Sequence, residues 1–193
     1  MTTADTIDLA ALHRSALAST RRYVAGIGDD RWDLATPCEG WNVRELLNHI
    51  VAGNLWAAEL ASGRTIVDVG STLDGDMVGA DHLDSYDRST QAAAAAFEAP
   101  GALDAPCAVS YGPVPGSVYV GHRVIDVLIH GWDLASATGQ PADLDPRLVD
   151  ACWQVVQPQL ALLQGSGAFG SDYATDTEDH SQASLLAALG RRG

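Results

Sequence analysis

Residues 117–137 read SVYVGHRVIDVLIHGWDLASA. Most of these side chains are apolar, as in a helix buried on several sides, yet His122, Asp126, His130 and Asp133 interrupt them. The four polar positions step by four, four and three residues, so they line one side of an α-helix. Ionisable groups inside a core are costly unless something pairs with them or binds them. Two imidazoles and two carboxylates in one stripe suit a metal site inside a helical bundle. An intrahelical Asp126–His130 pair is the competing explanation, and spacing alone does not choose between the two.

Working outward, Leu9, Leu12, Ala16 and Leu17 recur at helical spacing and predict a first helix over 5–26, ended by Gly26 and Gly28. Residues 36–40, TPCEG, form a loop. Asn42 with Glu45 three residues on is an asparagine version of the capping box, and it starts a second helix over 43–62. Trp41 and Leu46 are spaced for the hydrophobic staple. Residues 63–77 are rich in Gly and Asp and read as a long loop or flap. The run QAAAAAFEA anchors a third helix over 79–98, stopped by Pro100 and Gly101. The prolines and glycines of YGPVPG argue against regular structure over 101–116, a short strand at 107–111 aside. The opening stretch is the fourth helix, over 117–138. Asp145 followed by Pro146 starts a fifth, reaching about 163 with a kink at Pro158. A polar loop over 165–180 and a short apolar helix over 184–189 precede an Arg-Arg-Gly tail. The expected fold is a single all-α domain over 1–193, an antiparallel four-helix bundle with an additional C-terminal helix and loops.

A chain of 193 residues is long enough to close one core. Its 25 acidic residues against 11 basic ones give a net charge of −14, which repels phosphate backbones and argues against a nucleic-acid partner. No apolar run approaches the ~18 residues of a membrane span. The N-terminus carries no basic segment ahead of an apolar run, so the expectation is a cytoplasmic protein with reduced thiols at Cys38, Cys107 and Cys152. Cys38, just before a helix start, reads as a small packing residue in preference to a nucleophile. All cations are arginine, a bias that fits a GC-rich genome.

The second helix places His49 among Leu46, Ile50, Gly53 and Trp56, on an apolar face. With Asp126 and His130 at i and i+4, it would complete a three-ligand set of nitrogen and carboxylate oxygen. Such a set leaves a coordination position open, as catalytic rather than structural sites do. Under the alternative, His49 is a satisfied core histidine. Asp133 is placed to hold an imidazole from behind, and His122 to line the cavity. Both are candidate catalytic acids or bases. His13, His82 and His180 read as surface residues.

TPCEGWNVRELLNHIVAGN resembles the opening signature of the metal-binding DinB-like superfamily, in the branch of mycothiol-dependent maleylpyruvate isomerases. VIDVLIHGWDLASATGQ is similar to the second signature of that branch, an acid and a histidine four apart ahead of W-D-L-A. SQASLLAALGRRG resembles the ending of a smaller actinobacterial group within it. The resemblance implies metal ligands at His49, Asp126 and His130, zinc as the metal with nickel, iron or manganese as others, and mycothiol as cosubstrate. Two departures stand out. The isomerases carry glutamate where this chain has Asp126, and they have a C-terminal domain for which this chain is too short. Fold and metal are therefore expected to transfer, and the isomerase reaction is not.

Two functions follow. One is a metal-dependent enzyme that uses a low-molecular-weight thiol on a small electrophile, by S-transfer or thiol-assisted isomerisation. The other is a bundle that binds a metal or small ligand without chemistry. A specialised enzyme of secondary metabolism on the same scaffold is a further variant. Whether the chain forms a homodimer stays open.

Overall fold

Asp8 opens the first helix, α1 (Leu9–Ala25), its carboxylate accepting from the Ala11 amide. The capping box at Asn42 and Glu45 forms in full and starts α2 (Val43–Ala61). The computed structural model describes residues 7–165 and 179–191. The expected start of the first helix at 5, nearly all of the polar loop over 165–180 and the end of the tail lie outside the described residues.

The segment over 63–77 is not irregular throughout. Thr65 and Asp68 make a second capping box, which supports the one-turn helix α3 (Ile66–Val69). Asp81 caps α4 (His82–Glu98), a little later than the expected start at 79. The stretch over 101–116 is corrected too. It contains a hairpin, β1 (Pro106–Val109) against antiparallel β2 (Gly112–Pro115), paired from Pro106↔Pro115 to Val109↔Gly112. Pro113 and Pro115 are two residues apart and face away from the ladder, so a two-stranded ribbon tolerates both.

The opening stretch forms α5 (Gly116–Thr138), ended by Gly139 in the left-handed conformation at φ 70°. Asp145 and Pro146 begin α6 (Pro146–Val156). The expected kink at Pro158 is a turn of 3₁₀ helix, Gln157–Gln159, before α7 (Leu160–Gly165). Ser181 caps α8 (Gln182–Ala188).

The chain divides into two compact units between Pro141 and Ala142. In the first, α1 packs on α5 and α4, and α2 packs on the same two helices. The four long helices thus form a bundle in the order α1, α5, α2, α4, as expected for the DinB-like helical fold. Leu46, Leu47, Ile50, Val124, Ile125 and Leu128 are fully buried or nearly so. Thr20 Oγ1 of α1 donates to the Val127 carbonyl of α5 at 2.9 Å. Gly131 permits that approach, since a Cβ there would overlap the Thr20 side chain. In the second unit α6 packs against α8, and Trp153 stacks on His180. Among the described residues no helix is long and apolar enough to cross a membrane.

Candidate metal centre

Two of the four bundle helices supply the centre. His49 comes from the second turn of α2, and Asp126 and His130 from adjacent turns of α5. His49 Nε2 lies 3.2 Å from Asp126 Oδ1, and His130 Nε2 lies 3.5 Å from the same oxygen. One donor atom from each residue falls within 4.8 Å of the other two. Ligands at about 2.0–2.1 Å in a tetrahedron are separated by roughly 3.3 Å, so both measured separations match edges of such a site. Two imidazoles and one carboxylate also suit the open catalytic zinc set and the facial triad of non-haem iron. The residues present therefore fit a divalent ion.

The centre is reached from one side. The side chain of His49 is 36% exposed and that of Asp126 21%. A cleft of about 760 Å³ beside His49 is lined in part by Trp41, Asp74 and Asp76. Its outer wall, within the flap over 63–77, is tied to α2. Arg44 Nη2 donates to Asp76 Oδ2 at 2.8 Å, and Asn48 Nδ2 donates to the Gly75 carbonyl at 2.9 Å. The Trp41 ring lies 4.7 Å from the His49 ring and 6.1 Å from the His130 ring, centroid to centroid.

On the other face of His130, Nδ1 donates to Asp133 Oδ2 at 3.0 Å. Asp133 is fully buried. Cys38 Sγ donates to the same oxygen at 3.3 Å and lies 3.5 Å from His130 Nδ1. With Nδ1 committed to Asp133, a neutral His130 ring takes the tautomer whose Nε2 lone pair points toward His49 and Asp126.

Charge is balanced locally. Burial pushes the Asp126 carboxyl up. The Arg123 guanidinium and the two imidazoles outweigh it and hold the group well below the usual carboxylate range. Burial pulls His130 down, but the charge of Asp126 and hydrogen bonds to Asp126, Asp133 and Cys38 raise it well above an ordinary imidazole.

Of the residues the sequence singled out, His49, Asp126, His130 and Asp133 are brought together. His122 joins neither group of candidate ligands. Its Nδ1 lies 2.5 Å from the Tyr111 hydroxyl at the hairpin turn. His13 is a correction: it is not on the surface but fully buried, edge-on to Phe97 at 5.2 Å between centroids. Burial, with Arg123 nearby, pulls its pKa down to about 3, so the ring is neutral in the core. His82 is half-buried against Trp32, and His180 is exposed beside Asp150. Two residues at the centre were not given these roles by the sequence. Cys38 has a visible signal, its place in TPCEGW. Arg123 has only its position three residues before Asp126.

Residues 13–135 match the family model of the mycothiol maleylpyruvate isomerase N-terminal domain. The chain belongs to that family. The matched span contains every residue of the centre. Two uncharacterised proteins from Mycobacterium tuberculosis, strains CDC 1551 / Oshkosh and ATCC 25618 / H37Rv, are each 34% identical over 184 residues, which is 93% of this chain and 95% of theirs. The crystal structure of the mycothiol-dependent maleylpyruvate isomerase shares the fold, with a TM-score of 0.64 and 16% identity over 86% of this chain and 75% of that one. A histidine-to-alanine mutant of that enzyme aligns with a TM-score of 0.64 and 15% identity over 100% of this chain and 84% of that one.

Proposed function

We propose that this family member is a cytoplasmic, divalent-metal-dependent enzyme that uses a low-molecular-weight thiol, mycothiol, on a small electrophile. The reaction is S-transfer or thiol-assisted isomerisation. One observation carries the reading: His49 Nε2, Asp126 Oδ1 and His130 Nε2 converge at ligand separations, with His49 on the wall of an open cleft. His49, Asp126 and His130 would hold the ion, with zinc the best match to the donor set. When bound, such an ion supplies the positive charge that stabilises a thiolate near neutral pH. Asp133 holds a His130 proton on Nδ1, so the proton given up when an ion binds leaves Nε2 as the ligand atom. The cleft admits a substrate past Trp41 and the flap.

Metal analysis of protein purified without added metal, followed by turnover of a model electrophile with and without mycothiol, tests this. The expected result is about one divalent ion per chain, lost in His49→Ala and His130→Ala, and turnover that needs both ion and thiol. An ion bound at this centre without thiol-dependent turnover would favour the non-catalytic binding bundle. No ion at all would leave Asp126 and His130 as a helix pair.

A further inference from the structure

The two oxygens of Asp126 are engaged differently. Oδ1 faces both imidazole Nε2 atoms, whereas Oδ2 accepts from Arg123 Nη1 at 2.9 Å. Arg123 is buried, 6% exposed. Its second terminal nitrogen, Nη2, donates to Asn54 Oδ1 at 3.0 Å. Asn54 is fully buried on α2 and donates through Nδ2 to Ser89 Oγ of α4 at 3.2 Å. The Ser89 hydroxyl in turn donates to the Tyr86 carbonyl at 2.8 Å. Three helices thus fix one guanidinium. Gly53 leaves the space for it, since a Cβ there would lie 2.6 Å from Arg123 Nη1. A planar fork can bridge Asn54 and Asp126 at once, and a lysine ammonium on a flexible stem cannot hold both in the same way.

We propose that Arg123 is a positioning residue that presents Asp126 to the ion through Oδ1 alone and withholds Oδ2. This rests on the reading that His49, Asp126 and His130 hold a divalent ion. Two consequences follow. A carboxylate limited to one oxygen leaves a coordination position for a substrate atom. The guanidinium also cancels the carboxylate charge, so with two neutral imidazoles the charge of the ion is left over, and it favours an anionic occupant such as a thiolate. Asp126 lies three residues after Arg123 on the same helix, where side chains are neighbours.

The test loads wild type, Arg123→Met, Arg123→Lys and Gly53→Ala with cobalt(II), and reads visible absorption together with affinity in a chelator competition. Circular dichroism checks the fold of each variant. Wild type should show the intense bands of four-coordinate cobalt. In Arg123→Met both carboxylate oxygens become available and the nearby positive charge is gone. Absorption should weaken toward the five-coordinate pattern, and the ion should bind more tightly, by about tenfold. Arg123→Lys should fall between the two, because charge remains without the fork. Gly53→Ala displaces the guanidinium without removing it and should shift the spectrum in the direction of Arg123→Met. A structural role for Arg123 predicts weaker binding on its removal with band shape unchanged. That result, or no change in the folded variants, overturns the proposal. Failure of wild type to bind cobalt would instead overturn the metal-site reading itself, and this proposal with it.

Discussion

His130 has a carboxylate on each side of its ring, and the two sides differ in nearly everything except residue type. Toward Nε2 stands Asp126, partly exposed, with the cleft-lining His49 imidazole across from it and a guanidinium behind it. Toward Nδ1 stands Asp133, fully buried, receiving the imidazole N–H and the Cys38 S–H on one oxygen. Both sides bring three potential ligand atoms within 4.8 Å. Proximity of ligand types is therefore insufficient to locate an ion. Access separates them: His49 is 36% and Asp126 21% exposed on the Nε2 side, whereas Asp133 is fully buried and accepts from both His130 and Cys38, which suits a support that fixes the ring.

The largest expected effect comes from the residue that belongs to both sides. His130→Ala should reduce divalent-ion affinity more than the roughly 10- to 100-fold that loss of an outer partner costs. A chelator-competition titration measures it. Next come the two carboxylates. Asp126→Asn removes a charged ligand and should approach the loss seen for His130→Ala, while Asp133→Asn should cost about 10- to 100-fold through the ring it orients. If Asp133→Asn abolishes binding and Asp126→Asn leaves it intact, the comparison is inverted and the ion belongs on the Nδ1 side.

pH sharpens the same contrast. In the metal-free chain His130 is raised well above its ordinary value. Its contribution to stability is then fully present below the unfolded imidazole value of about 6.5 and is lost as pH rises through the folded value. Asp126 is depressed, so its contribution is present above about 3.9 and is lost as pH falls through its lower folded value. An ion requires neutral imidazoles, so binding at neutral pH should release about one proton from His130. Calorimetry in two buffers of different ionisation enthalpy counts it. The melting-temperature gap between loaded and metal-free protein should widen as pH rises.

The smallest effect is expected at Cys38. Cys38→Ser keeps a donor to Asp133 and should change affinity by less than about threefold. Cys38→Ala removes a donor to the buried Asp133 carboxylate and should cost somewhat more, about tenfold at most. A loss as large as that of His130→Ala would make the thiol a ligand.

What was legible in the sequence was mostly local. The stripe on α5, the capping box at Asn42 and Glu45, and the Asp145-Pro146 start each depend on residues within a turn of one another. His49 stands out in the sequence as one polar residue on an apolar helix face, and the fold sets it 3.2 Å from Asp126. The hairpin was hidden because a count of prolines does not show which way their missing N–H groups point in a ladder. His13 was misplaced because its burial depends on Phe97 from another helix. The parts played by Cys38 and Arg123 depend on partners 95 and 69 residues away, Asp133 and Asn54. No periodicity encodes such pairings.

The most direct test of the central claim is anomalous diffraction at the zinc edge from crystals grown with zinc. One peak per chain is expected within about 2.0–2.2 Å of His49 Nε2, Asp126 Oδ1 and His130 Nε2. A peak among Cys38 Sγ, Asp133 Oδ2 and His130 Nδ1, or no peak at either side of the ring, would contradict it.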